Sequence, residues 1–293
     1  MKIATVVSGG IEKPVVLDEG KAIDVQLVSD VLSDLEKGEY PVAYGINEMI
    51  EQWDEIPKML KKAKKVFGGN FYNLFSVKRP RFGVPISRAS KIICLGKNYA
   101  EHAKETGAEI PDEPILFGKF SDCAVPHKFP VKYPSYATRI DPEPELAVVI
   151  GKECKNVSVK KGLDCVFGYT IANDITERNL EYADMKAGHP WFRSKNFNGS
   201  MPIGPYIVTK EEVKDPHNLT IELYVNGKLR QKGNTKDMIF KINYLISYIS
   251  KYLTLYPGDV ISTGTISGIA PIEKGDTVVC KISKIGSLEN KII

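Results

Sequence analysis

Along the first third of the chain, apolar residues alternate with polar ones in short runs and then recur at helical spacing. Alternation and β-branched content predict strands over 3–7, 15–17 and 23–28, parted by the turn residues Gly9-Gly10 and Asp18-Glu19-Gly20. Apolar side chains three and four apart predict helices over 31–37 and 46–66, with Pro57 breaking or kinking the second. From Gly68 to Ser90 the composition turns to Gly, Pro, Asn and Arg, as in a connector. The expected organisation is a small N-terminal domain over 1–75, a linker over 76–90 and a larger domain over 91–293.

Beyond the connector the pattern becomes strand-rich, and the fold class expected is α+β. An apolar run over 91–95 ends at Gly96; Asn98 can then cap a helix over 99–106, with Gly107 just past its end. Residues 107–114 read as an exposed loop, and 115–120 as a strand carrying Lys119. Leu146-Ala-Val-Val-Ile150 is a buried strand, and 166–172 is another, leading through Asn173-Asp174 into a helix over 175–185. In the tail, 219–225 with Asn226-Gly227 predicts a type I′ hairpin, and 237–255 a long packing helix.

The chemistry gathers where the strand beginning at Glu145 meets an acidic run, Asp141-Pro-Glu-Pro-Glu145. On an extended backbone, Asp141, Glu143 and Glu145 point the same way, and the prolines place this end at an edge or rim. Two carboxylates about 4 Å apart repel by roughly 4 kcal/mol at an effective dielectric near 20. A cation, a Lys or Arg partner, a raised pKa or plain solvation must compensate; hard oxygen donors favour Mg²⁺, Mn²⁺ or Ca²⁺ over zinc. Asp174 is either a third carboxylate on that cation or, with Glu177 three residues on, part of a capping box. Arg178 lies one turn further. His102 and Glu105, at i and i+3, share a helix face, as a general base and its orienting carboxylate would, or as any exposed ion pair does. Lys195 sits among aromatics in Phe192-Arg-Ser-Lys-Asn-Phe197, and Gly264 and Gly268 could let backbone N–H groups approach a bound carboxylate.

Composition narrows the class. The chain has 293 residues and a net charge of +4, too little to argue for nucleic acid, and its one basic cluster, Lys61–Lys65, fits a solvated helix face. No signal peptide or membrane-length apolar run is visible, so a soluble cytoplasmic protein without membrane partners is expected. Five widely spaced cysteines and four histidines argue for reduced thiols and against zinc. Lys- and Ile-rich, Gln-poor usage points to a thermophile.

Taken in order, the motifs resemble the fumarylacetoacetate hydrolase superfamily. They are Cys94-Leu-Gly-Lys-Asn-Tyr-x-x-His102-x-x-Glu105, Pro-Ile-Leu-Phe-x-Lys119, Glu143-x-Glu145-Leu-Ala-Val-Val-Ile-Gly, Gly168-Tyr-Thr-x-Ala-Asn-Asp174, Lys195-x-Phe197, Val225-Asn-Gly-x-x-Arg-Gln231 and Ser262-Thr-Gly-Thr265. The resemblance implies a mixed β-sandwich roll as catalytic domain, a homodimer, and Mg²⁺ or Mn²⁺ (Ca²⁺ in crystals) on Glu143, Glu145 and Asp174. It implies His102, Glu105 and Lys195 as catalytic residues, and Lys119, Arg178 and Thr265 as substrate contacts. The expected activity is hydrolysis of a carbon–carbon bond in acylpyruvate-like 2,4-dioxo acids. The alternative is decarboxylation, isomerisation or dehydration of a related 2-oxo acid. Four positions depart from the family pattern: Asn179 and Glu181 where aspartate and glutamine are common, Ile266 for a frequent proline, and Asn198 for aspartate.

Overall fold

The computed structural model describes residues 1–107 and 109–293. Its centre is the strand Pro144–Ile150, buried at every position. It pairs antiparallel on one side with Val166–Asn173 and on the other with Val260–Thr265. Alternate side chains feed two different cores: Leu146, Val148 and Ile150 face one, Ala147 and Val149 the other. A strand covered on both faces needs no polar positions, which is why this stretch reads as a continuous apolar run. Each fully buried Leu, Val or Ile side chain contributes about 1.5–3 kcal/mol.

The main sheet runs in the order Lys21–Asp24, Ile11–Asp18, Lys2–Ser8, Met201–Thr209, Val166–Asn173, Pro144–Ile150, Val260–Thr265, Ile92–Gly96, Ile115–Lys119. It is mixed, since Val260–Thr265 and Ile92–Gly96 are parallel while their other neighbours are antiparallel. On one face packs a four-stranded sheet, Lys228–Asn234, Thr220–Val225, Thr277–Ile282 and Gly286–Lys291, through Ile221, Leu223, Val278, Cys280 and Leu288. On the other face lie the N-terminal helices, through Val28, Leu32, Met49, Ile56, Phe71 and Phe75. The molecule is therefore a strand-rich α+β fold around a large mixed sheet. The N-terminal strands join that sheet directly, through Lys2↔Val208 and Ile3↔Ile207.

Several local expectations change. Pro144 opens a central strand rather than an edge strand; as first residue it forfeits little of the ladder, and Pro142 lies outside it. The expected strand at 23–28 stops at Asp24, whose carboxylate accepts from Leu27 N at 3.1 Å and caps the helix Val25–Glu36. The helical pattern over 46–66 divides into Ile46–Glu51 and Ile56–Phe67, with Pro57 in the first turn of the second. Within the expected connector, Phe71–Phe75 is helical and buries both phenylalanines. Helix 237–255 shortens to Ile242–Tyr252. Asn226 and Gly227 both take positive φ, as a type I′ turn requires. Of the expected loop 107–114, Ala108 lies outside the described residues; Glu113 accepts from Tyr248 Oη at 3.1 Å. All five cysteines are free and buried. No described helix is long and apolar enough to cross a membrane.

Candidate active site

Antiparallel pairing sets the start of the acidic strand beside the end of Val166–Asn173, with Pro144 opposite Asn173. Thr265, the last residue of the other neighbour, stands opposite Glu145. Carboxylates at the mouth of one strand and just past the end of the next therefore converge. Glu143, Glu145 and Asp174 offer oxygens within 4.8 Å of one another, and all three residues are buried. Asn173 holds the turn: its Oδ1 accepts from Glu143 N at 2.8 Å, and Asp174 N donates to Glu143 O at 2.9 Å.

Asp141 leaves this group. The strand is interrupted at 142–143, so the alternation that would align all three acids does not continue. Asp141 instead accepts from Arg139 Nε at 3.0 Å and Arg178 Nε at 2.9 Å. Asp174 is not a helix cap either. Glu177 fills that role for Arg178–Ala187, accepting from Leu180 N, and the Asp174 side chain is left for Lys119 at 2.7 Å and Lys195 at 2.8 Å.

Cations tie the acids together. Lys195 Nζ lies 2.7 Å from Glu143 and 2.8 Å from Asp174, which leaves the third ammonium N–H for another acceptor. Lys119 lies behind Asp174, bonded also to the Lys195 carbonyl, and does not line the cavity. Among the described residues, Glu145 has no ion-pair partner. It accepts from Ser262 Oγ at 2.5 Å and Gly264 N at 2.9 Å. Gly264, at φ +90, sits where the ladder slips between Ser262 and Thr265, and a Cβ there would come 2.9 Å from Asn98 Cβ. Ser262, which opens the Ser262-Thr-Gly-Thr265 motif, is thus a partner of Glu145, a role that the motif alone does not assign.

The electrostatics follow. Burial, then repulsion from Asp174 and Glu143, pushes the Glu145 carboxyl up to about 8. Burial opposes ionisation of Glu143 too, but Lys195, Arg178 and His102 outweigh it and hold its carboxyl well below the usual range. Burial acts against the Lys195 ammonium, yet Asp174, Glu143 and Glu181 more than offset it and keep it charged. Three buried hard-oxygen donors, one of them without an ion pair among the described residues, fit Mg²⁺ or Mn²⁺.

His102 sits on the short helix Ala100–Glu105 and is 6 % exposed. Asn98 does not cap that helix; it bridges Thr263 O at 2.8 Å and the Phe240 backbone, fixing the helix against the Gly264 slip. Burial first, with Arg178 and Lys195 adding to it, lowers the imidazole pKa, so His102 is neutral at pH 7. Its Nδ1 has no hydrogen-bond partner among the described residues. Glu105 Oε2 lies 3.6 Å away and is held by Gly268 N at 3.0 Å. Gly268 and Gly264 thus both present N–H groups to carboxylates, and these carboxylates are the protein's own. His102, Glu143, Glu145, Arg178, Lys195 and Thr265 line one cavity, walled on its apolar side by Leu95, Phe117, Tyr182, Met185 and Trp191. The space inside is about 20 Å³, enough for a water or two.

Residues 91–293 match the family model of the fumarylacetoacetate hydrolase C-terminal domain, and the chain belongs to that family. Among its relatives is the mitochondrial oxaloacetate tautomerase FAHD1 of Bos taurus, 42 % identical over 212 residues, 71 % of this chain and 96 % of that protein. The 5-carboxymethyl-2-hydroxymuconate delta-isomerase of Mycobacterium smegmatis superposes with a TM-score of 0.73 at 30 % identity, covering 100 % of this chain and 98 % of that one. Fumarylpyruvate hydrolase of Pseudomonas aeruginosa, solved with Mn²⁺ and pyruvate, gives 0.68 at 31 % identity over 73 % of this chain and 91 % of that one. Hydrolysis and isomerisation both occur on this fold, so the particular reaction rests on the site.

Proposed function

We propose that the protein hydrolyses the carbon–carbon bond of acylpyruvate-like 2,4-dioxo acids with the help of Mg²⁺ or Mn²⁺. The observation that carries the reading is His102: a buried imidazole, neutral at pH 7, in the wall of the cavity that Glu143 and Glu145 also line. A neutral imidazole can accept a proton, and general-base catalysis typically contributes about 10²–10⁴-fold. Glu143, Glu145 and Asp174 would hold the ion, which when bound polarises the oxygens of the 2-oxo carboxylate.

The chain's own groups supply the rest. His102 takes a proton from water, and the resulting hydroxide adds to the carbonyl carbon remote from the carboxylate. Glu105, anchored by Gly268 and Ile269, keeps a negative charge beside the imidazolium that forms. The remaining Lys195 N–H offsets the oxyanion charge. When the carbon–carbon bond breaks, its electrons pass to the pyruvate fragment, which takes up a proton; the acyl fragment leaves as a carboxylic acid. Lys119 contributes by fixing Asp174 and the Lys195 carbonyl. We further infer a homodimer, for which the exposed Phe120–Phe192 pair, 5.7 Å between centroids, is a suitable contact.

A second reading, keto–enol tautomerisation of a 2-oxo acid, is favoured by the bovine relative. It needs a proton carrier but no attacking water. A panel of 2-oxo acids assayed with Mg²⁺ and Mn²⁺, with products identified by NMR, separates the two. Pyruvate plus a second acid supports hydrolysis; keto–enol interconversion without cleavage of any acylpyruvate rejects it.

A further inference from the structure

We propose that Glu181 sets the substrate class of this site, reserving it for 2-oxo acids whose remainder carries no second negative charge. The inference rests on the function proposed above. All three nitrogens of the Arg178 guanidinium are taken by the chain's own carboxylates. Nε donates to Asp141 at 2.9 Å, one terminal nitrogen to Glu143 and the other to Glu181. These bonds use three of its five N–H groups and Arg178 is 1 % exposed, so an incoming carboxylate competes with Glu181 for it. Glu181 is buried, lines the cavity, and places Oε1 4.0 Å from Lys195 Nζ.

Charge balance points the same way. Around the cavity, Asp141, Glu143, Glu145, Asp174 and Glu181 are five carboxylates against the three buried cations Lys119, Arg178 and Lys195. A divalent ion would bring that buried set to neutrality, so positive charge for a second substrate carboxylate has to come from outside it. Two further cations stand outside it. Arg139 is committed to Asp141 at the rim, and Lys97 lies at the cavity wall with its ammonium 5.8 Å from the Trp191 ring centroid. The rest of the wall, Phe117, Tyr182, Met185 and Trp191, offers apolar and aromatic surface. An uncharged, largely apolar remainder suits that surface once the site opens to admit it; a carboxylate meets it beside Glu181.

The test compares the wild type, Glu181→Gln and Lys97→Met with Mg²⁺ present. Kinetics use acetylpyruvate, which has one carboxylate, and fumarylpyruvate, which has two. Calorimetry uses 2-oxobutyrate and 2-oxoglutarate, which have no acyl bond to cleave. The wild type should bind 2-oxobutyrate more tightly than 2-oxoglutarate, a check that needs no variant to fold. In Glu181→Gln the preference should move toward the diacids by about tenfold to a hundredfold, the effect of removing one like charge about 6 Å away at an effective dielectric near 20. The change should fall on KM, and on the affinity for 2-oxoglutarate, rather than on kcat. An unmoved preference, with both substrates still cleaved, overturns the inference and leaves the proposed function standing. So does a uniform loss of kcat, which would make Glu181 a proton carrier, or a preference that moves in Lys97→Met alone. A wild type that neither binds nor cleaves any of these acids removes both the function and the inference.

Discussion

Lys195→Met removes the cation that, among the described residues, bridges two members of the carboxylate triad. Its ammonium lies 2.7 Å from Glu143 and 2.8 Å from Asp174, and the residue is 3 % exposed. Methionine keeps most of the side-chain volume, so the perturbation is electrostatic rather than a cavity. Left without Lys195, two charges as far apart as the 4.8 Å spread of the triad repel by about 3–4 kcal/mol at an effective dielectric near 20. That agrees with the roughly 3–5 kcal/mol measured when a buried ion pair loses one partner. In chelator, the variant should melt lower by on the order of 10 °C. In saturating Mg²⁺ the deficit should shrink, because the same carboxylates regain a counter-charge and binding to the native state stabilises it by mass action. Differential scanning fluorimetry of wild type and variant, with chelator and with Mg²⁺, reads all four values. A deficit of equal size in both conditions would mean that Lys195 and the ion do not answer to the same charges.

Glu145→Gln should abolish the rise in melting temperature that Mg²⁺ or Mn²⁺ produces; an unchanged rise removes Glu145 from the ligand set. The acid limb of kcat/KM should lie below the ordinary histidine value of about 6.5, because burial, with Arg178 and Lys195, lowers the His102 pKa and the neutral form is the base. A limb above that value contradicts the assignment, and a pH–rate profile decides it. His102→Ala should lose about 10²–10⁴-fold in kcat while the Mg²⁺-induced thermal shift survives, since His102 is not a ligand; loss of the shift would make it one. Gly264→Ala should weaken Mg²⁺ binding as well as stability, since a Cβ there meets Asn98 and the Gly264 N–H orients Glu145; calorimetric titration with Mg²⁺ showing wild-type affinity would refute this.

The sequence carried the composition of the site better than its wiring. Glu143, Glu145, Asp174, His102 and Lys195 all stand out as chemistry-bearing residues; the structure lines one cavity with four of them and sets Asp174 against Glu143, Glu145 and Lys195. What the pattern could not convey was which neighbour each side chain would take. Asp174 and Glu177 have capping spacing, yet the helix starts at Arg178 and only Glu177 caps it, because Thr176–Glu177 first pairs as a short strand with Ile140–Asp141. Pro144 argued for an edge, but a proline opening a strand costs the ladder little and leaves the strand free to sit centrally. Val25 and Val28 suggested strand by side-chain type; the Asp24 cap decided for helix, and tertiary burial of Val25, Val28 and Leu32 rewarded it. Arg178 could be singled out from sequence, whereas two of the three carboxylates it binds, Asp141 and Glu143, come from a segment far from it in the chain and are visible only in the fold.

The central claim is that water, activated at His102, ends in the acyl product. Acetylpyruvate turned over in ¹⁸O-labelled water with Mg²⁺ tests it directly, with products analysed by mass spectrometry against a His102→Ala control. Hydrolysis places one labelled oxygen in the acetate carboxylate, at a rate that collapses in the variant. Intact acetylpyruvate that only exchanges its C3 protons with solvent, with no labelled acetate, would contradict it and leave tautomerisation as the activity.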